Sequence, residues 1–178
     1  MKSLSLPIAL LAIFCLASCA KKESPAMIAK ARADSMETAY KAFMTAWDAG
    51  KVEEFDKYIS PNCLDKYEML PGMKSGLAGL KEMALMVKTG CPDNKTTIKS
   101  MYADSNVLNV AYTDTGMNTG PMGGYPASNE KMTGSGNYRV NWVNGKFEDL
   151  SGLMDGAKSR VSTRKMIEDF AHPEAKKN

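Results

Sequence analysis

The sequence predicts an α+β fold, and two observations carry that prediction. Between residues 25 and 90 apolar side chains recur at helical spacing. From residue 96 to 155 they alternate every second position in segments rich in β-formers. Helices first and strands after imply a curved, mostly antiparallel sheet packed on N-terminal helices. A long curved sheet folded over those helices leaves a concave face, a usual place for a small-molecule site. The chain has 178 residues, the length of about one domain.

The elements follow in order. Ser24 offers a helix N-cap and Pro25 the first helical position. Met36, Tyr40, Phe43 and Trp47 form an apolar stripe, Glu37 and Lys41 pair four apart on the outer side, and Gly50 is a natural C-cap. A second short helix is expected over Val52 to Ile59, stopped by Pro61. Residues 62–75 look irregular, with Pro71-Gly72 as a turn signal. Leu77, Leu80, Ala84 and Val87 mark a third helix, closed by Gly90. Strands are expected over Thr96 to Ala103 and Val107 to Thr115, joined by a turn at Asp104-Ser105-Asn106, with a long glycine-rich loop at 116–127. The next strand carries Met132, Gly134, Gly136, Tyr138, Val140 and Trp142 on one side. Thr133, Ser135, Asn137, Arg139 and Asn141 occupy the other, which is polar. Asn144-Gly145 is a strong hairpin signal, and Lys146 to Asp155 is the returning strand. A last helix is expected over Ser159 to Ala171, followed by a polar tail at 172–178.

The N-terminus is an address. Met1-Lys2-Ser3 is a short basic start and Leu4 to Leu16 a compact apolar run, the pattern of a secretory signal. Leu16-Ala17-Ser18-Cys19 resembles the lipobox of bacterial lipoproteins, in which the cysteine becomes the lipidated first residue. That resemblance implies a signal peptide at 1–18, a lipidated tether at 19–24 and a folded domain at 25–171. It also implies a membrane anchor in the cell envelope. Ala20, rather than an aspartate, after Cys19 favours the outer membrane facing the periplasm. Cys15 leaves with the signal and Cys19 carries lipid. Cys63 and Cys91 then remain as a pair in an oxidising compartment, where a disulfide is expected, the alternative being two free buried thiols; no Cys-x-x-Cys spacing marks a redox pair.

Composition removes several classes. Lysines and arginines number 23 against 20 acids, so the strongly basic character of a nucleic-acid binder is missing. The single histidine, His172, excludes most histidine-based metal sites and triads. Fourteen methionines suit an adaptable apolar cavity, but Met83 with Met86 and Met117 with Met122 do not gather the thioethers of a copper(I) site. The glycine-rich loop lacks the Gly-Lys-Ser/Thr ending of a phosphate loop. Lys158, Arg160, Arg164 and Lys165 form a small basic patch, read as a solvated face, with contact to anionic lipid headgroups as the alternative. No cofactor or metal is expected.

Several segments resemble SnoaL-like polyketide cyclases. They are the loop from Thr115 to Ser128, Tyr138-Arg139-Val140, Asn144-Gly145-Lys146-Phe147 and Leu153-Met154-Asp155. Upstream, Ala46-Trp47-Asp48-Ala49-Gly50-Lys51 and Gly76-Leu77-Ala78-Gly79-Leu80-Lys81 fit the same family. The resemblance runs in order from about Ser35 to Asp155. It implies the cone-shaped fold of the nuclear transport factor two-like superfamily, which hosts cyclases, isomerases, dehydratases and non-catalytic modules. Two departures stand out. Segment 63–70 has no histidine, and the final strand reads Asp149-Leu150-Ser151 where the family often has Glu-His-Trp.

Phe147, Asp149, Ser151, Leu153 and Asp155 alternate onto one face of the last strand. If that face lines the cavity, Asp155 and Asp149 are the candidate acids and Ser151 a candidate ligand contact; otherwise they face solvent. Tyr138 and Tyr112 could supply cavity hydroxyls or be core aromatics. Trp47 is either a ligand platform or a helix-to-sheet packing residue. The expected function is therefore a lipid-anchored module that binds a small apolar ligand in the cone with reduced or no catalysis. Two alternatives stand beside it. One is a cyclase-like or isomerase-type enzyme with Asp155 as general base; the other is a structural module that forms a homodimer through the outer sheet face.

Overall fold

A computed structural model describes residues 24–64 and 74–153, without the side chains of 62, 64 and 149–153. The fold is α+β: among the described residues, two α-helices pack on a five-stranded sheet. Helix α1 spans Pro25–Ala49, a 3-10 helix Val52–Lys57, strand β1 Ile59–Leu64 and helix α2 Gly76–Gly90. Strands β2 (Lys95–Asp104), β3 (Val107–Met117), β4 (Lys131–Val143) and β5 (Lys146–Leu153) follow.

The caps of α1 form as its sequence requires. The Ser24 hydroxyl accepts from the Met27 N–H at 3.2 Å, and Pro25 fills a position whose N–H would have no helical partner. Gly50 ends the helix at φ 70°, a left-handed conformation in which a side chain would be strained. Met36, Tyr40, Phe43 and Ala46 are the buried stripe.

The sheet order is β1-β5-β4-β3-β2. Three neighbouring pairs are antiparallel, and β1 runs parallel to β5. Asn144 and Gly145, at φ 50° and 80°, form the tight turn between β4 and β5. Tyr40, Phe55, Ile59, Leu108, Val140 and Phe147 are almost fully enclosed between helices and sheet.

Three expectations need correction. The second helix is a 3-10 turn that ends at Lys57, and Ile59 already starts β1. Pro61 sits inside that strand, tolerated because β1 is an edge and its missing N–H breaks no interior ladder. The glycine-rich loop begins later, because β3 runs on to Met117.

The Cys63–Cys91 bridge is not formed, and both cysteines are buried. The cause is α2 itself. Its first residue, Gly76, lies against the Cys63 carbonyl, whereas Cys91 caps its far end. Fifteen residues of helix separate these ends by about 22 Å, and a disulfide tolerates roughly 4–7 Å between α-carbons.

The expected leader and most of the tether, Asp155, the last helix with its basic patch, and the tail lie outside the described residues. Among those described, no helix is long and apolar enough to cross a membrane.

Candidate functional site on the concave face

Register decides which side chains meet. On β3 the inward positions are Leu108, Val110, Tyr112, Asp114 and Gly116. Across β4 they pair with Val140, Tyr138, Gly136, Gly134 and Met132. Across β2, Tyr112 pairs with Ile98 and Asp114 with Thr96. Directly paired residues share a face, so the inner surface near the β2–β3 turn is aliphatic. Toward the opposite end it becomes polar and sparse in side chains.

Two glycines create that sparseness. A Cβ at Gly136 would meet the Tyr112 ring and hydroxyl at 3.0–3.2 Å, so the tyrosine lies over this glycine. At Gly134 the nearest neighbour of a Cβ would be the Asp114 carboxylate, at 3.9 Å. The floor beside Asp114 is therefore open. The rings of Tyr112 and Tyr138 stack with centroids 4.6 Å apart and planes 12° apart. Burial raises the pKa of Tyr138 well above normal, helped by the Tyr112 hydroxyl beside it. Burial likewise raises that of Tyr40 on α1, with Tyr112 and Asp114 contributing. Tyr40 and Tyr138 therefore stay neutral and can donate hydrogen bonds.

Asp114 is the group with acid–base capacity. Burial lifts its pKa from 3.8 to about 6; the Thr96 hydroxyl beside it pulls the other way, and the charge of Asp48 raises it further. The Thr96 hydroxyl is shut away from solvent without a well-formed hydrogen bond. Asp48 is already engaged: both of its carboxylate oxygens accept from the Thr96 N–H at 3.1 Å, and Lys95 approaches at 3.9 Å. On the helix side, a groove of about 690 Å³ between α1 and the start of β2 reaches Asp48 and Thr96.

Asn118, 5 % exposed, closes this end. Its amide donates to the Gly90 and Gly120 carbonyls at 3.0 and 2.9 Å, and its side-chain oxygen accepts from the Ser128 N–H at 2.7 Å. The loop after β3 is thus tied to the end of α2.

The structure distributes the sequence candidates unevenly. Tyr112 and Tyr138 are brought together on the inner face. Trp47 is a packing residue: its ring stacks on Phe55 at 5.9 Å and meets Phe43 edge-on. The β4–β5 register shifts between Asn141 and Trp142. Trp142 pairs with Phe147 on the inner side, whereas Asn141 pairs with Asp149 and Arg139 with Ser151. The pairing thus advances two residues on β5, from Phe147 to Asp149, for one on β4, a bulge; the side chains of Asp149 and Ser151 lie outside those described. Asp155 lies outside the described residues. Asp114, Thr96 and Tyr40 were missed. For Asp114 a signal existed, since it continues the inward series Leu108, Val110, Tyr112.

Residues 37–160 match the family model described as SnoaL-like polyketide cyclase, and the chain belongs to that family. Among solved structures it is similar to TsrD from Streptomyces laurentii, at 19% identity and TM-score 0.61, over 68% of this chain and 89% of that one. A SnoaL-like polyketide cyclase from Agrobacterium tumefaciens is similar at 12% identity and TM-score 0.56, over 68% and 91%. So is a Mycobacterium tuberculosis epoxide hydrolase of LEH-like type, at 13% identity and TM-score 0.56, over 88% and 99%. At such identities the likeness carries the fold and no reaction. No curated protein matches the chain.

Proposed function

We propose that the concave face binds a small, mostly apolar molecule bearing a carbonyl or hydroxyl group, and that Asp114 exchanges a proton with it. The observation that carries this is the placement of Asp114. A carboxyl held at a pKa of about 6, beside an uncovered strand floor, can both accept and return a proton near neutral pH. Tyr112 and Tyr138 place two phenol hydroxyls on the same face, able to hold a developing enolate oxygen. The chemistry these groups suit is proton transfer next to a carbonyl, with Asp114 in the role expected of Asp155. The same reading makes the protein lipid-anchored through Cys19, in the outer membrane and facing the periplasm. The leader pattern and the lipobox support that part.

A second reading is binding without turnover. Its support is that Asp48, the acid nearest in effect to Asp114, is committed to the Thr96 N–H and Lys95. Solvent deuterium exchange at the α-carbon of a panel of β-keto esters separates the two. Proton transfer predicts exchange that rises with a midpoint near pH 6 and is lost in Asp114→Asn. Exchange equal in the two proteins overturns it. No exchange, with a ligand retained in native mass spectra of protein purified from its host, establishes binding alone.

A further inference from the structure

Helix α1 is longer than the body it packs on. Its first buried residue is Met36, and every residue from Ser24 to Arg32 is exposed. Among the described residues, these two helical turns bury no side chain against the body, the packing that ordinarily supplies most of a helix's stability in water. They also present apolar side chains to solvent: Met27 is 60% exposed and Ile28 47%. The first turn carries no acid, and the sequence Ala20-Lys-Lys-Glu-Ser-Pro-Ala-Met-Ile-Ala-Lys-Ala-Arg32 holds four cations against one acid. Arg32 donates to the Asn106 side chain at 2.7 Å, fixing these turns to the β2–β3 hairpin end of the sheet.

We infer that the first two turns of α1 dock on an anionic bilayer surface, with Met27 and Ile28 entering the headgroup–acyl boundary. The inference rests on the reading of Cys19 as the lipid anchor for the position of the bilayer. Six residue steps from Cys19 to Pro25 reach at most about 20 Å, so the exposed turns cannot stray far from the membrane. A short apolar patch flanked by lysines is what an anionic interface takes up. The geometry has a consequence for access. From Ser24 to Asp48, α1 rises about 36 Å. Arg32 lies at the hairpin end, while Asp48 meets β2 at Thr96, the partner of Asp114. The docked helix is a standoff that presents the Asp114 end to the aqueous side.

The test uses the mature chain, residues 19–178, whose removed leader contains no residue of any described element. It is coupled through the Cys19 thiol to a maleimide lipid in vesicles of phosphatidylethanolamine and phosphatidylglycerol; Cys63 and Cys91 are buried and do not compete. Brominated acyl chains then report contact with a tryptophan. Ile28→Trp is expected to add fluorescence that brominated lipid quenches roughly twofold, while Ala49→Trp and the parent, with Trp47 and Trp142 in the body, are unaffected. Quenching at 28 should weaken in Lys30→Glu and in vesicles of phosphatidylcholine alone. Equal behaviour at 28 and 49, quenched or not, overturns the proposal. Because the anchor is chemical, a failure of palmitate labelling at Cys19 in cells would remove the lipoprotein reading and leave the docking result standing.

Discussion

The two ends of the inner face are built from the same strands and behave as different materials. At the β2–β3 turn end, Leu108, Val140 and Phe147 are sealed from solvent and Trp142 packs edge-on against Phe147 at 4.7 Å. At the other end the same alternation continues as Asp114, Gly134 and Thr96. One end is held by buried apolar area. The other is held by hydrogen bonds around Asn118 and carries a carboxyl that burial makes costly to ionise. Stability is concentrated in the first and chemical capacity in the second, as expected where a site tolerates strain that the core offsets.

The sharpest way to break this comparison is to weaken the apolar end. Phe147→Ala removes a fully enclosed ring that meets Tyr40 and Trp142. It should cost about 3–5 kcal/mol, read as a lowered urea midpoint with unchanged slope. A loss below about 1 kcal/mol, outside that range, would mean that this end is not the core.

At the polar end, Asp114→Asn should act with the opposite sign. The folded protein keeps the Asp114 proton up to about pH 6, whereas the carboxyl's ordinary value is 3.8. Between these values the native state binds more protons than the unfolded state, so stability falls as pH rises from 3.8 to 6. Below that window no penalty exists, and above it the penalty is full, about 2–3 kcal/mol. Asparagine cannot ionise. The variant should therefore be more stable than the parent at pH 7.5 by up to that amount, and equal to it or slightly weaker at pH 3.5. Unfolding curves at the two pH values decide it; a variant less stable at both would show that Asp114 is a structural hydrogen-bond partner.

Asn118→Ala tests what holds the polar end together. It removes the side-chain partner of the Gly120 carbonyl and the Ser128 N–H and leaves the Gly90 carbonyl only the Gly120 N–H, at about 1–3 kcal/mol. Hydrogen exchange should quicken first in the loop between β3 and β4, with the amides near Phe147 unchanged. Uniform quickening would mean that the two ends unfold as one unit.

How much of this was legible follows the same divide. The caps of α1 at Ser24, Pro25 and Gly50 and the Asn144-Gly145 turn are local events, governed by a few adjacent residues, and the sequence reading places them correctly. The inward and outward sides of β4 were equally plain, because a two-residue period needs no partner strand to be seen. Nonlocal features escaped. Pro61 reads as a helix stop until the parallel pairing of β1 with β5 makes it an edge-strand residue. The register shift between Phe147 and Asp149 on β5 is likewise invisible to a period count, because a bulge shows only against its partner strand. Counting left Cys63 and Cys91 as a pair, although the helix between them holds them apart. Asp114 was visible as a charge in an otherwise apolar phase, but its significance depends on Gly134 across the strand, and that pairing belongs to the fold.

The smallest expected stability effect is also the most discriminating. A Cβ at Gly136 would press on the Tyr112 ring at 3.0–3.2 Å; at Gly134 it would find only ordinary contact with Asp114. Gly136→Ala should thus cost about 1–3 kcal/mol as the ring is pushed off its stack with Tyr138. Gly134→Ala should be neutral or gain up to about 1 kcal/mol, since glycine in a strand interior is entropically unfavourable. If stability alone governed the strand, alanine would serve at 134 at least as well as glycine. The open floor therefore belongs to the site: Gly134→Ala should keep its unfolding midpoint yet lose α-carbon exchange on β-keto esters with bulk next to the carbonyl, sparing the smallest. Exchange falling equally for all esters would show that the methyl disturbs Asp114 itself rather than the space beside it, and exchange unchanged for all would move the bound molecule away from this floor.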